Sequence, residues 1–134
     1  MGLGEAMIVA GIGCRRGAPT DAIMAVIEAA LARSGLAKEA LDVIATAATK
    51  GAEPGIAGAA SALGVPLVLI AQTDLEAVAD RTATRSARVI ALTGMPSVAE
   101  AAALAAGGAA ARLVAPRVAV GPATCALADT GAAS

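Results

Sequence analysis

No histidine, phenylalanine, tyrosine or tryptophan occurs in the 134-residue chain, and each absence removes a class of function. Without imidazole there is no histidine general base, metal ligand or axial ligand to cobalt. Chemistry falls to carboxylates, hydroxyls, thiols, lysine and arginine, and neither a metal centre nor a cofactor is expected. Without aromatic rings, stacking is lost as a recognition device. Aromatic side chains bury about 150–250 Å² each, so the core must be assembled from many small contacts among Ala, Val, Leu, Ile and Met. The hydrophobic fraction of 57% supplies them, and alanine-faced helices can approach a sheet closely with little void space.

An excess of positive charge is also missing. Ten Lys and Arg against eleven Asp and Glu leave a net charge of −1, which argues against a nucleic-acid or anionic-membrane binder acting through bulk charge. Any anion site must be local. The two cysteines, Cys14 and Cys125, form no CxxC pair, and a reduced cytosolic setting with Cys125 as a small buried hydrophobe is the expectation. No basic residue precedes the apolar run 6–12, the first being Arg15, so no secretory signal is expected and a cytoplasmic location follows. The apolar stretch from Pro54 to Thr73 is broken by Gly55, Gly58, Gly64 and Pro66, which suits helix, turn and strand better than a membrane span.

What is present reads as alternating elements. Residues 6–12 are short, continuously apolar and closed by Gly13, the pattern of a strand buried on both faces. Thr20 is expected to N-cap the next segment, where Ile23, Ile27, Ala30 and Leu31 recur at helical spacing up to Gly35. Leu41–Ala48 reads as a second strand, Pro54 as a first helical position with Gly64 just past the end, and Leu67–Ala71 as a third strand. Such βαβ units predict a parallel sheet. Further on, the pattern predicts a short helix around Ser86–Leu92, an alanine-rich helix from Ser97 to about Ala106, and two closing strands, Arg112–Ala115 and Pro122–Ala128, joined by a loop carrying Arg117. The expected fold is α/β: a three-layer αβα sandwich with a mostly parallel sheet and closing antiparallel strands. Residues 1–128 form one domain and 129–134 a frayed tail.

Loops leaving the carboxyl ends of parallel strands gather on one edge, where ligands bind. That edge would collect Gly11-Ile-Gly-Cys-Arg-Arg-Gly17, then Thr49, Lys50 and Glu53, then Gln72 and Thr73. Small glycines let a backbone pass close to a ligand, and Arg15 and Arg16 supply fixed positive charge. The candidate binding residues are Gly11, Gly13, Cys14, Arg15, Arg16, Gly17, Lys50 and Ser97, and the candidate catalytic carboxylates are Glu100 and Glu53. The glycine spacing only partly matches the dinucleotide fingerprint, no acidic residue ends strand two, and no Gly-Lys-Ser/Thr follows for a phosphate loop; a tight strand-to-helix turn explains the glycines at least as well. Ser97-Val-Ala-Glu100 also fits a capping box.

As a set, the glycine–arginine loop, Lys50 and Glu53 in Thr-Lys-Gly-Ala-Glu, the segment Ser97-Val-Ala-Glu-Ala-Ala-Ala-Leu104 and the closing Ala-Thr-Cys-Ala-Leu-Ala128 resemble the family formed by CobE and the C-terminal domain of CbiG. The resemblance spans nearly the whole chain, and the length suits the stand-alone form. It implies a role in cobalamin biosynthesis, on the methylated tetrapyrrole intermediates that lead to the corrin ring, with pathway enzymes such as methyltransferases as possible partners. Those ligands bristle with carboxylates, for which Arg15, Arg16 and Lys50 have the right sign. The expected role is a binding or accessory protein for an anionic precorrin or corrinoid intermediate. The alternatives are a precorrin hydrolase opening a lactone, as CbiG proteins do, with Glu100 or Glu53 as general base, and a nucleotide-binding module.

Overall fold

Strand β1 (Ile8–Cys14) carries the central position of the molecule because its residues are apolar on both faces, with branched Ile8, Val9 and Ile12 set among small Ala10, Gly11 and Gly13. It lies between two neighbours of opposite direction. On one side it pairs in parallel with β2 (Leu41–Ala47), which pairs in parallel with β3 (Leu67–Ile70). On the other it pairs antiparallel with β5 (Ala123–Asp129), which pairs antiparallel with β4 (Arg112–Val120). The sheet order is therefore β3-β2-β1-β5-β4. The computed structural model describes residues 7–50, 53–78, 98–108 and 111–130.

Helices cover both faces. Helices α1 (Thr20–Arg33) and α2 (Pro54–Leu63) bury Ile23, Ile27, Leu31 and Ile56 against Ala10, Ile12, Ile44 and Leu127. On the opposite face, α3 (Gln72–Ala77) and α4 (Val98–Gly107) bury Leu75 and a block of alanines with Leu104 against Val9, Val43, Ala45 and Ala128. The three-layer αβα expectation and the mixed sheet are both present. Alanine replaces aromatic bulk by proximity: a Cβ on Gly11 would collide with the carbonyl oxygen of Ala99 and lie 2.6 Å from the Ala103 nitrogen. The strand has room for α4 only because that position carries no side chain.

Several local expectations shift. The first strand runs two residues later than the apolar run suggested. Thr20 is the first helical residue of α1, not its cap, which falls on Pro19; the Thr20 hydroxyl instead donates to the Gly55 carbonyl at 3.2 Å, tying α1 to α2. Pro54 does occupy the first turn of α2, and Gly64 follows in the left-handed region. Gln72 and Thr73 belong to α3 and not to a loop. Arg117 lies within the continuous strand β4, where the register slips between Ala115 and Val118, and the turn falls at Gly121 and Pro122. Pro116 has no N–H for the ladder, so a strand carried through it reads locally as a loop. The segment expected to fray begins inside β5: Asp129 pairs with Arg112 at 3.3 Å, and the Thr130 hydroxyl accepts the Met7 amide at 2.9 Å. The helix expected around Ser86–Leu92 lies outside the described residues.

Candidate functional site

Strand direction decides which loops meet. Strands β1, β2 and β3 all end on one edge of the sheet, and the antiparallel register Cys14↔Ala123 brings the β4–β5 turn to that same edge. The loops after β1 and β2 and the N-termini of α1 and α2 consequently share it, and helix N-termini add partial positive charge. Ala99, in the first turn of α4, is close to the same strand end, its nitrogen 4.0 Å from where a Cβ of Gly13 would stand.

Two hydrogen bonds from distant segments hold the β1–α1 loop. The Arg15 amide donates to the Pro122 carbonyl at 2.9 Å, and the Gly17 amide donates to Oε1 of Glu53 at 2.8 Å. A local bond from the Ala18 amide to the Arg15 carbonyl, 3.1 Å, closes the turn, and Gly17 at its corner has φ of +78°, a conformation favouring glycine. Glu53 occupies the N-cap position of α2 but its side chain does not cap its own helix; its carboxylate is directed at the neighbouring loop. The Glu53 amide donates to the Lys50 carbonyl at 3.1 Å, which ties Glu53 to the end of the single-turn helix Ala48–Lys50.

Cys14 ends β1 between these groups. Burial pushes its thiol above the ordinary value; the Lys50 ammonium acts in the opposite direction, and the Glu53 carboxylate adds to the rise. Both side chains thus act on the Cys14 thiol, in opposite senses. Burial alone pushes Cys125 far up, as befits an inert core thiol. Arg15 and Arg16 are exposed and Lys50 is partly buried. Among the described residues none of these three side chains is held in an ion pair, which leaves their charge available to a ligand.

The remaining candidates separate by burial. Gly11 is buried under α4 and gives space to a helix backbone. Gly13 faces Thr124, whose hydroxyl donates to the Gly13 carbonyl at 3.2 Å. Glu100 is completely buried, and its Oε2 accepts the Arg117 amide at 2.9 Å, anchoring α4 to the irregular part of β4. Ser97 lies outside the described residues. The edge thus brings together Cys14, Arg15, Arg16, Gly17, Lys50 and Glu53, while Gly11 and Glu100 sit in the seam beneath α4. Sequence reasoning missed Pro122, whose carbonyl fixes the arginine loop, and Thr46, a buried threonine whose hydroxyl donates to the Ile12 carbonyl at 2.8 Å and locks β1 to β2. Neither has a local signal. No group of three or more potential metal ligands occurs among the described residues, and none of their helices is long and apolar enough to cross a membrane.

Comparison with known proteins matches residues 8–128 to the family model for the cobalamin synthesis G C-terminus. The chain is 39% identical over 121 residues to Protein CobE of Sinorhizobium sp., covering 90% of this chain and 79% of that protein. Among solved structures, CobE, from the cobalamin (vitamin B12) biosynthetic pathway, superposes with a TM-score of 0.88 at 35% identity, covering 98% of this chain and 96% of that one. Cobalamin biosynthesis protein chiG from Agrobacterium tumefaciens is similar with a TM-score of 0.72 at 46% identity, covering 91% and 97%.

Proposed function

Because the chain belongs to the cobalamin synthesis G C-terminus family and is a cobalamin biosynthesis protein, we propose that it binds an anionic precorrin or corrinoid intermediate as a carrier or accessory to pathway enzymes. The observation that carries the reading is the meeting of two cationic loops at one sheet edge, fixed by the Gly17–Glu53 bond at 2.8 Å, with Arg15, Arg16 and Lys50 held in no ion pair among the described residues. Guanidinium groups grip carboxylates bidentately and an ammonium adds an adaptable point charge. A ligand edged with carboxylates matches such a set better than a neutral one.

The hydrolase alternative draws little from Glu100, whose carboxylate is sealed from solvent and accepts a strand amide. The nucleotide alternative loses its main motive at Gly11, where the missing side chain makes way for α4. The purified protein is expected to retain a coloured corrinoid polycarboxylate through a desalting column, with retention reduced by salt. Arg15→Ala and Lys50→Ala should each weaken binding roughly two- to fivefold, the upper range for a charge contact at an exposed site, without altering the melting temperature. Colourless protein, or binding indifferent to salt and to both substitutions, contradicts the proposal.

A further inference from the structure

Glu53 presents an electrostatic puzzle at this site. A carboxylate beside cationic loops opposes any polyanionic ligand, yet its oxygen is directed at neither Arg15 nor Arg16; it accepts the Gly17 amide at 2.8 Å, across thirty-six positions of sequence. It also leaves its own helix uncapped. The bond joins the two segments that carry the cations: Gly17 follows Arg15 and Arg16 directly, and the Glu53 amide is bonded to the Lys50 carbonyl. The other end of the arginine loop is already tied to Pro122 through the Arg15 amide. With the Glu53 bond in place the loop is held from both sides; without it the nearest hydrogen bond to the β2–α2 side is the one from the Thr20 hydroxyl to the Gly55 carbonyl, three residues further on, and the Gly17 amide itself has no other acceptor among the described residues.

From this geometry we infer that Glu53 is a positioning residue, whose carboxylate clasps the β1–α1 loop to the β2–α2 loop so that Arg15, Arg16 and Lys50 face a polycarboxylate together. The inference rests on the binding role proposed above. It separates what Glu53 does through its oxygen from what it does through its charge. As an acceptor it orders the loops, which lowers the entropy lost when a ligand immobilises them; as a charge it works against the ligand. Glutamine keeps the acceptor and removes the charge, whereas alanine removes both.

The test compares wild type, Glu53→Gln and Glu53→Ala in two readouts: amide hydrogen exchange at Gly17 and Ala18, and binding of uroporphyrin, an octacarboxylate tetrapyrrole, at several salt concentrations. The clasp predicts a Gly17 amide protected in the wild type and in Glu53→Gln and released in Glu53→Ala. It predicts that Glu53→Gln binds the porphyrin as tightly as the wild type or tighter, and that Glu53→Ala binds roughly fivefold more weakly, the worth of about one net hydrogen bond. Equal binding by the two variants, both tighter than wild type, assigns Glu53 a purely repulsive role and overturns the inference; so does a Gly17 amide that exchanges freely in the wild type, a result that needs no variant to fold. A wild type that fails to bind the porphyrin while Gly17 protection still depends on Glu53 overturns the binding role and leaves the clasp standing.

Discussion

Two carboxylates, Glu100 and Glu53, make the same kind of bond on opposite sides of β1, and they differ in what surrounds it. Each sits at the start of a helix and accepts a backbone amide from a distant segment, Arg117 at 2.9 Å for one and Gly17 at 2.8 Å for the other. Glu100 is wholly buried in the seam where α4 presses on the strand; Glu53 lies at the solvent edge near cations held in no ion pair among the described residues. A glycine accompanies each: Gly11 in the seam, with no room for a side chain, and Gly17 at the edge, where an added Cβ would meet nothing within 4 Å. Removing an acceptor from a buried bond strands a desolvated group, whereas at the surface water replaces it. The seam is therefore expected to govern stability, and the edge to govern binding.

The largest effect should come from forcing the seam apart. Gly11→Val places methyl groups where the Ala99 carbonyl and the Ala103 nitrogen stand, and neither strand nor helix backbone can yield as a side chain would. A loss of about 3 kcal/mol or more, at the top of the overpacking range, is expected in urea denaturation; a near-neutral result would show that α4 does not rest on β1 as described. Glu100→Ala comes next, because it leaves the Arg117 amide without the side-chain oxygen that accepts it, at an irregular point of the edge strand. The expected loss is about 2–3 kcal/mol, measured by the same melts, and a loss below the error of the measurement would place Glu100 with Glu53 in the solvent-exposed class and dissolve the contrast.

A smaller effect sharpens the other side of the comparison. Cys14 alkylation reports on the edge because its thiol responds first to burial, then to Lys50, then to Glu53. The thiol is held protonated beyond the usual pH, so labelling by iodoacetamide should be slow at neutral pH and accelerate only above the ordinary thiol range near 9.0. Lys50→Ala should slow it further and Glu53→Gln should speed it, by a few-fold each. Opposite signs would mean that these side chains do not share a neighbourhood. The raised thiols also carry a pH signature in stability. A group whose folded pKa exceeds its unfolded value contributes fully below that unfolded value and loses its contribution as pH climbs above it; for Cys125, buried in the core, the loss begins near pH 9.0.

Much of this arrangement was legible in the residues. The apolar run after residue 6, the helical spacing of Ile23, Ile27 and Leu31, and the Pro54–Gly64 bracket all act locally, so β1, α1, β2, α2 and β3 emerge near their observed bounds. The gathering of Cys14, Arg15, Lys50 and Glu53 then follows from strand direction alone. What the pattern could not reveal is long-range. Glu100 fits a capping box within its own turn, while its carboxylate accepts an amide seventeen positions away; Glu53 reads as the residue before a helix-starting proline, while it serves another loop. Gly11 belongs to a motif that suits a ligand or a packed helix equally well, and only the position of Ala99 and Ala103 decides between them. Arg117 was expected in a loop because Pro116 interrupts the ladder, and α3 escaped notice because Leu75 is its one buried residue.

The account stands most directly on where a ligand lands. Titrating isotope-labelled protein with a corrinoid polycarboxylate and following the backbone amides is expected to move the signals of Arg15 to Ala18, Thr49, Lys50 and Glu53 together and saturably, with those of the α4 seam unmoved. Shifts gathered instead on the amides of Val68 and Leu69 in β3, whose side chains are exposed, or no saturable shifts at all, would contradict it.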